Sequence, residues 1–149
     1  ISSGRPTGEF STSTLLSGVV VSTDGVPRLL WRNEYSQSAG TTDLVQAGPR
    51  LVDVSRPLPK LERMKSRPRT FIATDGRYAW AVGLVKSASL GELAELLASP
   101  DIIPGFHVAR AINLDGGRSS AIWMRTRAGT EISEAGWSTV RNFIAIVPR

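Results

Sequence analysis

The sequence predicts an α+β domain, a mixed or antiparallel sheet carrying one main helix. Three observations predict it. Only SLGELAELLAS, residues 89–99, repeats apolar residues at helical spacing. Several strand-length apolar runs lie on both sides of that segment, and Asp-Gly turn signals interrupt them twice. No repeat and no regular strand–helix alternation is present, so a parallel βαβ series is not indicated.

The elements follow in order. Residues 1–17 are polar and aperiodic, and they predict an N-terminal arm lying over a domain of residues 18–149. GVVVST (residues 18–23) is a strand that reaches Asp24-Gly25, after which Leu29 to Trp31 resumes the pattern as a hairpin. NEYSQSAGTTD is too rich in Ser, Gly and Thr to be a core element. LVQAGPRLVDV is two short apolar segments broken at Gly48-Pro49. RTFIAT and RYAWAVGLV flank Asp75-Gly76 and predict a second two-residue hairpin, with both central residues at positive φ.

In the helix, Ser89 and Glu92 have the spacing of a capping box, which satisfies otherwise orphan amides. Leu90, Leu93, Ala94 and Leu97 form its buried stripe, and Pro100 ends it. Glu92 and Glu95 are expected to be solvated. Pro104 to Arg110 is a loop or a short helical turn. Three further strands are expected, at Ala111 to Leu114, in SAIWM and in VRNFIAIV. Trp80 and Trp123 are expected in the core, with Trp137, in the polar loop EAGWSTV, as a platform for a sugar face.

The 149 residues fit one domain. With 41% hydrophobic and 21% charged residues, the chain is globular rather than disordered in composition. No apolar run approaches the roughly 18 residues of a membrane-spanning helix. The lack of cysteine excludes disulfides, thiolate nucleophiles and cysteine metal sites, but leaves the compartment open. The chain opens on Ile1 rather than Met, so processing from a longer precursor is one expectation, and it would hide any export signal.

Eighteen Lys and Arg against 13 Asp and Glu give a formal charge of +5. Part of the excess is concentrated in RPLPKLERMKSRPR, where Glu62 is the one acid among six bases. No aromatic residue is interleaved there to stack on bases, so nucleic acid is not expected as a partner and a solvated loop is. With one histidine, His107, placed at a loop edge, neither a metal nor another cofactor is expected.

The chemistry is expected in ARAINLDGGRSSAIWM. Period-two alternation puts Ile112 and Leu114 inward, and Asn113 and Asp115 together on the opposite face. Asp115 is the last side chain before Gly116-Gly117, where a sharp reversal exposes backbone amides to a ligand. Ser119 and Ser120 then offer hydroxyls. A carboxylate, a carboxamide, two hydroxyls and a bare turn suit a sugar or a phosphate group. A turn that merely satisfies its own backbone fits the same spacing.

This stretch resembles the Asn-Leu-Asp-Gly-Gly-x-Ser-Ser signature of the phosphodiester glycosidase family, of the N-acetylglucosamine-1-phosphodiester α-N-acetylglucosaminidase type. QAGPRLVD, PRTFIATDGRYAW, SLGELAELL and VRNFIAIV are similar to other blocks of that family in the same order. The positions that match are Asn113, Asp115, Gly116, Gly117, Ser119 and Ser120, the pairs Arg69-Thr70 and Gly48-Pro49, and Asn142. Arg118 stands where a third glycine is common. The Asn-Gly-Gly-Phe-Phe-like block that opens the family domain is absent, so 18–149 corresponds to its C-terminal portion. A second chain or fragment supplying that block is an expected partner.

The resemblance implies hydrolysis of a sugar-1-phosphodiester in exported material, secreted, periplasmic or in a bacterial cell envelope. Asp115 is the catalytic carboxylate in that scheme, with Arg69 and Asn113 beside it. Gly116, Gly117, Arg118, Ser119, Ser120, Thr70 and Asn142 contact substrate. Glycosidases usually pair two carboxyl groups, and Asp75 and Asp53 are both candidates for the second. Arg69, or Arg118, would clamp the phosphate. The alternative function is a non-catalytic carbohydrate- or envelope-binding module, or an inactive fragment that needs a partner chain.

Overall fold

A computed structural model describes residues 1–100, 102–140 and 143–147. Ten strands form among them: β1 (Gly18–Thr23), β2 (Val26–Trp31), β3 (Thr41–Ala47), β4 (Arg50–Asp53), β5 (Arg56–Pro57), β6 (Arg67–Thr74), β7 (Trp80–Ala88), β8 (Arg110–Gly116), β9 (Ile122–Arg125) and β10 (Glu131–Glu134). The single α-helix among the described residues, α1, spans Leu90–Ala98. Every ladder is antiparallel, so the architecture is α+β.

The strands form a five-stranded sheet ordered β5-β4-β8-β6-β7, a three-stranded sheet ordered β2-β1-β3, and a β9–β10 hairpin. Side-chain alternation gives the five-stranded sheet two apolar faces. On one, Phe71, Ala73 and Ala111 pack with Leu93, Ala94 and Leu97 of α1. On the other, Ile72 and Ile112 meet Leu29, Trp31 and Ala47 of the smaller sheet. The chain thus has three layers, helix, sheet and sheet, with a core on each side of the middle one.

Local signals account for several elements. Asp24 and Gly25 adopt φ of 50° and 77°, the left-handed pair a two-residue hairpin requires. At α1 the Ser89 hydroxyl accepts from the Glu92 amide at 3.2 Å, and the Glu92 carboxylate accepts from the Ser89 amide at 2.8 Å. Residues 1–17 run along the smaller sheet: the Gly4 amide donates to the Thr42 carbonyl at 2.7 Å, and the Gln46 amide group bonds to Ser11 and Leu16.

Four expectations are corrected. The β6–β7 connection is five residues, 75–79, because Asp75 Oδ1 accepts from the amides of Arg77, Tyr78 and Ala79 and organises a wider loop. The described part of VRNFIAIV is not a strand: residues 143–147 are irregular, with Phe143, Ile146 and Val147 exposed. Trp123 is 60% exposed, since its strand belongs to the outlying hairpin, whereas Trp80 does pack on the second core. The basic segment is not wholly a solvated loop. Its ends join β5 and β6, Arg63 pairs with Glu95, and Leu61 packs on the helix-side core. No helix of the described residues is long and apolar enough to cross a membrane.

Candidate active site

The site is set by the register where β7, β6 and β8 lie side by side. Thr70 pairs with Leu84 on one side and with Asp115 on the other. Residues opposite one another in a ladder share a face, so Leu84, Thr70 and Asp115 form one row. Phe71 pairs with Asn113, although Thr70 and Phe71 are adjacent and Asn113 and Asp115 are not. Leu114 is therefore the extra residue of a β-bulge, and it shifts the alternation beyond it. Asn113 and Asp115 do not point together as simple alternation predicts: Asn113 faces α1, and Asp115 faces the other way.

Beyond Asp115 the chain makes a 3-10 turn, Gly117–Ser119. Gly117 has φ of +82°, a left-handed conformation that a Cβ would strain. Asp115 is exposed, and its Oδ1 accepts from the Gly116 amide at 2.6 Å; Oδ2 has no partner among the described residues. The carboxylate is thus anchored by one oxygen with the other free, which combines the self-satisfied turn with an available base.

A cleft of about 180 Å³ opens on this face, lined by Pro68, Leu84, Lys86, Gly117, Ser120, Glu134, Ala135 and Trp137. The Lys86 ammonium and the Glu134 carboxylate pair across it at 2.8 Å. Ser120 is 5% exposed, and its hydroxyl donates to the Pro68 carbonyl at 3.1 Å, which ties the turn to the start of β6. Arg118 is exposed and Ser119 half-buried. Thr70 is 8% exposed, the central member of the row.

Arg69 and Asn113 lie elsewhere. Arg69 is 7% exposed; its guanidinium donates to the carbonyls of Ala88 (3.3 Å) and Lys65 (3.2 Å) and lies 3.7 Å from Glu62. Burial, with the charge of Arg67 nearby, holds that guanidinium below its ordinary pKa, while Glu62 opposes the shift. A Cβ on Gly116 would come within 2.7 Å of Arg69 Nη1, so the glycine is where the strand end accepts this buried group. Asn113 is 4% exposed, and its Nδ2 donates to the Gly48 carbonyl at 3.3 Å. Both side chains brace the Asp115 strand from behind rather than line the cleft.

The Gly-Pro, Arg-Thr and Asn-Leu-Asp-Gly-Gly blocks therefore meet at one place. Gly48-Pro49 touches Asn113, Arg69 backs Gly116, and Gly117 and Ser120 of the signature turn line the cleft. Comparison with known families decides the kinship: the phosphodiester glycosidase model matches residues 8–147. The chain belongs to the phosphodiester glycosidase family. The family match starts inside the N-terminal arm and includes every candidate site residue, although Asn142 lies outside the described residues. No curated protein and no solved structure matches the chain.

Neither candidate for a second carboxylate reaches the cleft. Asp75 follows the far end of β6, five residues from Thr70, which at about 3.3 Å per residue is roughly 17 Å. Asp53 is 3.6 Å from Arg110 Nε, and Arg110 pairs with Thr74 at that same far end. Alternation identifies a face but not which end of a strand carries a site, so both remained open from sequence. Three residues were missed. Exposed Arg67 runs past Gly117, its Cδ 4.0 Å from where a Cβ there would sit, and has no ion pair among the described residues. Its signal was its position two residues before Arg69. The signal available for Lys86 was a charge at the end of an apolar strand. Glu134 gave no signal, because EISE has a single apolar residue.

Proposed function

We propose that this chain hydrolyses the glycosidic bond of a sugar-1-phosphodiester in secreted, periplasmic or bacterial cell-envelope material, on a phosphodiester glycosidase-like fold. The observation that carries the reading is Asp115: an exposed carboxylate, anchored by one oxygen and free at the other, on the same sheet face as an open cleft edged by the signature turn. Family membership supports the reaction class.

In this scheme the free oxygen of Asp115 takes a proton from water as the water oxygen bonds to the anomeric carbon. The bond from that carbon to the phosphate oxygen breaks, and the phosphate monoester leaves with the electron pair. A phosphate is a good leaving group, so neutralising its charge substitutes for protonating it. Arg67, at the start of β6 beside Gly117, is one guanidinium available for that, and Arg118, exposed on the Gly117–Ser119 turn, is another. Gly117 keeps the approach free of a Cβ atom and Ser120 borders it, while Gly116 makes room for Arg69 behind and Ser119 and Thr70 are the neighbours of these lining residues. Arg69 and Asn113 act as positioning residues, fixing the backbone that carries Asp115. Asn142 has the substrate-binding role that the family's closing Asn-containing block implies.

The test is hydrolysis of a chromogenic sugar-1-phosphodiester by wild type and Asp115→Asn. Loss of about 10²–10⁴-fold in turnover at unchanged thermal midpoint is expected; equal turnover would sink the assignment. A second reading rests on the carboxylates around the cleft: Asp75 and Asp53 are distant from it, and Glu134, which lines it, is paired with Lys86, so Asp115 lacks the usual partner carboxylate. A carbohydrate-binding module, or a chain completed by a partner fragment carrying the family's opening block, would then bind without turnover, and Asp115→Asn would leave binding unchanged.

A further inference from the structure

The cleft contains side chains that the cleavage scheme does not use, Trp137 first among them. Trp137 is 89% exposed, yet its backbone is fixed. Its amide donates to the Arg118 carbonyl at 2.6 Å, and the Ser138 amide donates to the same oxygen at 3.2 Å. The preceding Gly136 lets this happen: a Cβ there would sit 3.2 Å from that carbonyl and 3.5 Å from the carbonyl of Ser119. A large aromatic side chain is therefore presented to water from a fixed backbone position beside the signature turn. Its cost in exposed apolar area is offset only when something covers the ring.

What lies beside it limits what that something is. The Lys86–Glu134 pair provides ammonium donors and carboxylate acceptors, both partly exposed. An aromatic face next to paired donors and acceptors suits a group that is apolar on its C–H face and hydroxylated at its edge. At about 180 Å³ the cleft is smaller than the roughly 300–1,000 Å³ of sites for drug-sized ligands, which limits it to one ring. We propose that this cleft is the glycosyl subsite, with one pyranose stacked on Trp137 and its hydroxyls bound by Lys86 and Glu134. The inference rests on the phosphodiester reading above and adds the location of the sugar, on the Trp137 side of Gly117, with the phosphate toward Arg67.

The test is binding of glucose 1-phosphate, galactose 1-phosphate, mannose 1-phosphate, N-acetylglucosamine 1-phosphate and inorganic phosphate to wild type, Trp137→Ala and Trp137→Phe, by calorimetry. For at least one sugar phosphate, Trp137→Ala should weaken binding about tenfold, and Trp137→Phe should restore most of it. Inorganic phosphate should bind all three alike, and the thermal midpoint should not move. Undiminished sugar phosphate binding by Trp137→Ala, or no binding of any of the four by wild type, overturns the subsite. Turnover that depends on Asp115 alongside a neutral Trp137→Ala would leave the hydrolytic reading standing without it. Binding that depends on Trp137 in a chain without turnover would do the reverse.

Discussion

Arg67 and Arg69 are two residues apart and have the same charge, but their surroundings differ so much that their loss should be felt in different measurements. Arg69 is buried, and removing it takes a donor from the Ala88 and Lys65 carbonyls and an ion-pair partner from Glu62. Arg69→Met is expected to cost about 1–3 kcal/mol in urea unfolding, the usual penalty for buried groups left unpaired. Arg67 is exposed beside Gly117 and makes no side-chain hydrogen bond or ion pair among the described residues. Arg67→Met should keep the wild-type urea midpoint and raise KM for a phosphodiester substrate several-fold, with little change for a neutral sugar ligand. A stability loss confined to Arg67→Met would reverse these roles.

Among the elements, α1 depends most visibly on one local device. Ser89 is fully buried and caps the helix that closes the first core. Ser89→Ala should cost about 1 kcal/mol. The same device is pH-sensitive through Glu92. The Ser89 backbone amide, and then its hydroxyl, hold this carboxyl below its ordinary value of 4.5. Because the folded value is the lower one, the stabilisation is complete above 4.5 and disappears as pH falls through the folded value. Urea midpoints between pH 7 and pH 3 should fall less steeply for Glu92→Gln than for wild type. Parallel curves would show that the cap does not contribute to the acid limb.

For the whole molecule, the two cores meet the middle sheet from opposite sides, so the site depends on both. Ile112 is fully buried where the smaller sheet packs, against Gly18, and it lies on the same strand as Asp115. Ile112→Ala is expected to destabilise by about 2–5 kcal/mol. Because the cleft is assembled from β6, β7, the signature turn and the hairpin, activity and far-UV signal should be lost together on heating this variant. Loss of activity well before the melt would mean that the smaller sheet positions the site without sharing its stability.

The amino-acid sequence alone determined the parts whose causes are local. Ser89 and Glu92 specify the start of α1, Asp24-Gly25 specifies the first hairpin, and Asn113 to Ser120 mark the turn that edges the cleft. Each rests on contacts within a few residues. Which side of the sheet a group occupies was decided only by the tertiary structure. The extra residue at Leu114 comes from pairing with β6, so alternation along β8 could not show that Asn113 and Asp115 separate. Arg69 matched a family motif, but only the packed helix and Glu62 make it an interior group. Trp137 gains its fixed position from the Arg118 carbonyl, nineteen residues earlier in the chain. Propensity and spacing act along the chain, whereas faces, ends and neighbours are set by which strands pair, and that is a property of the fold.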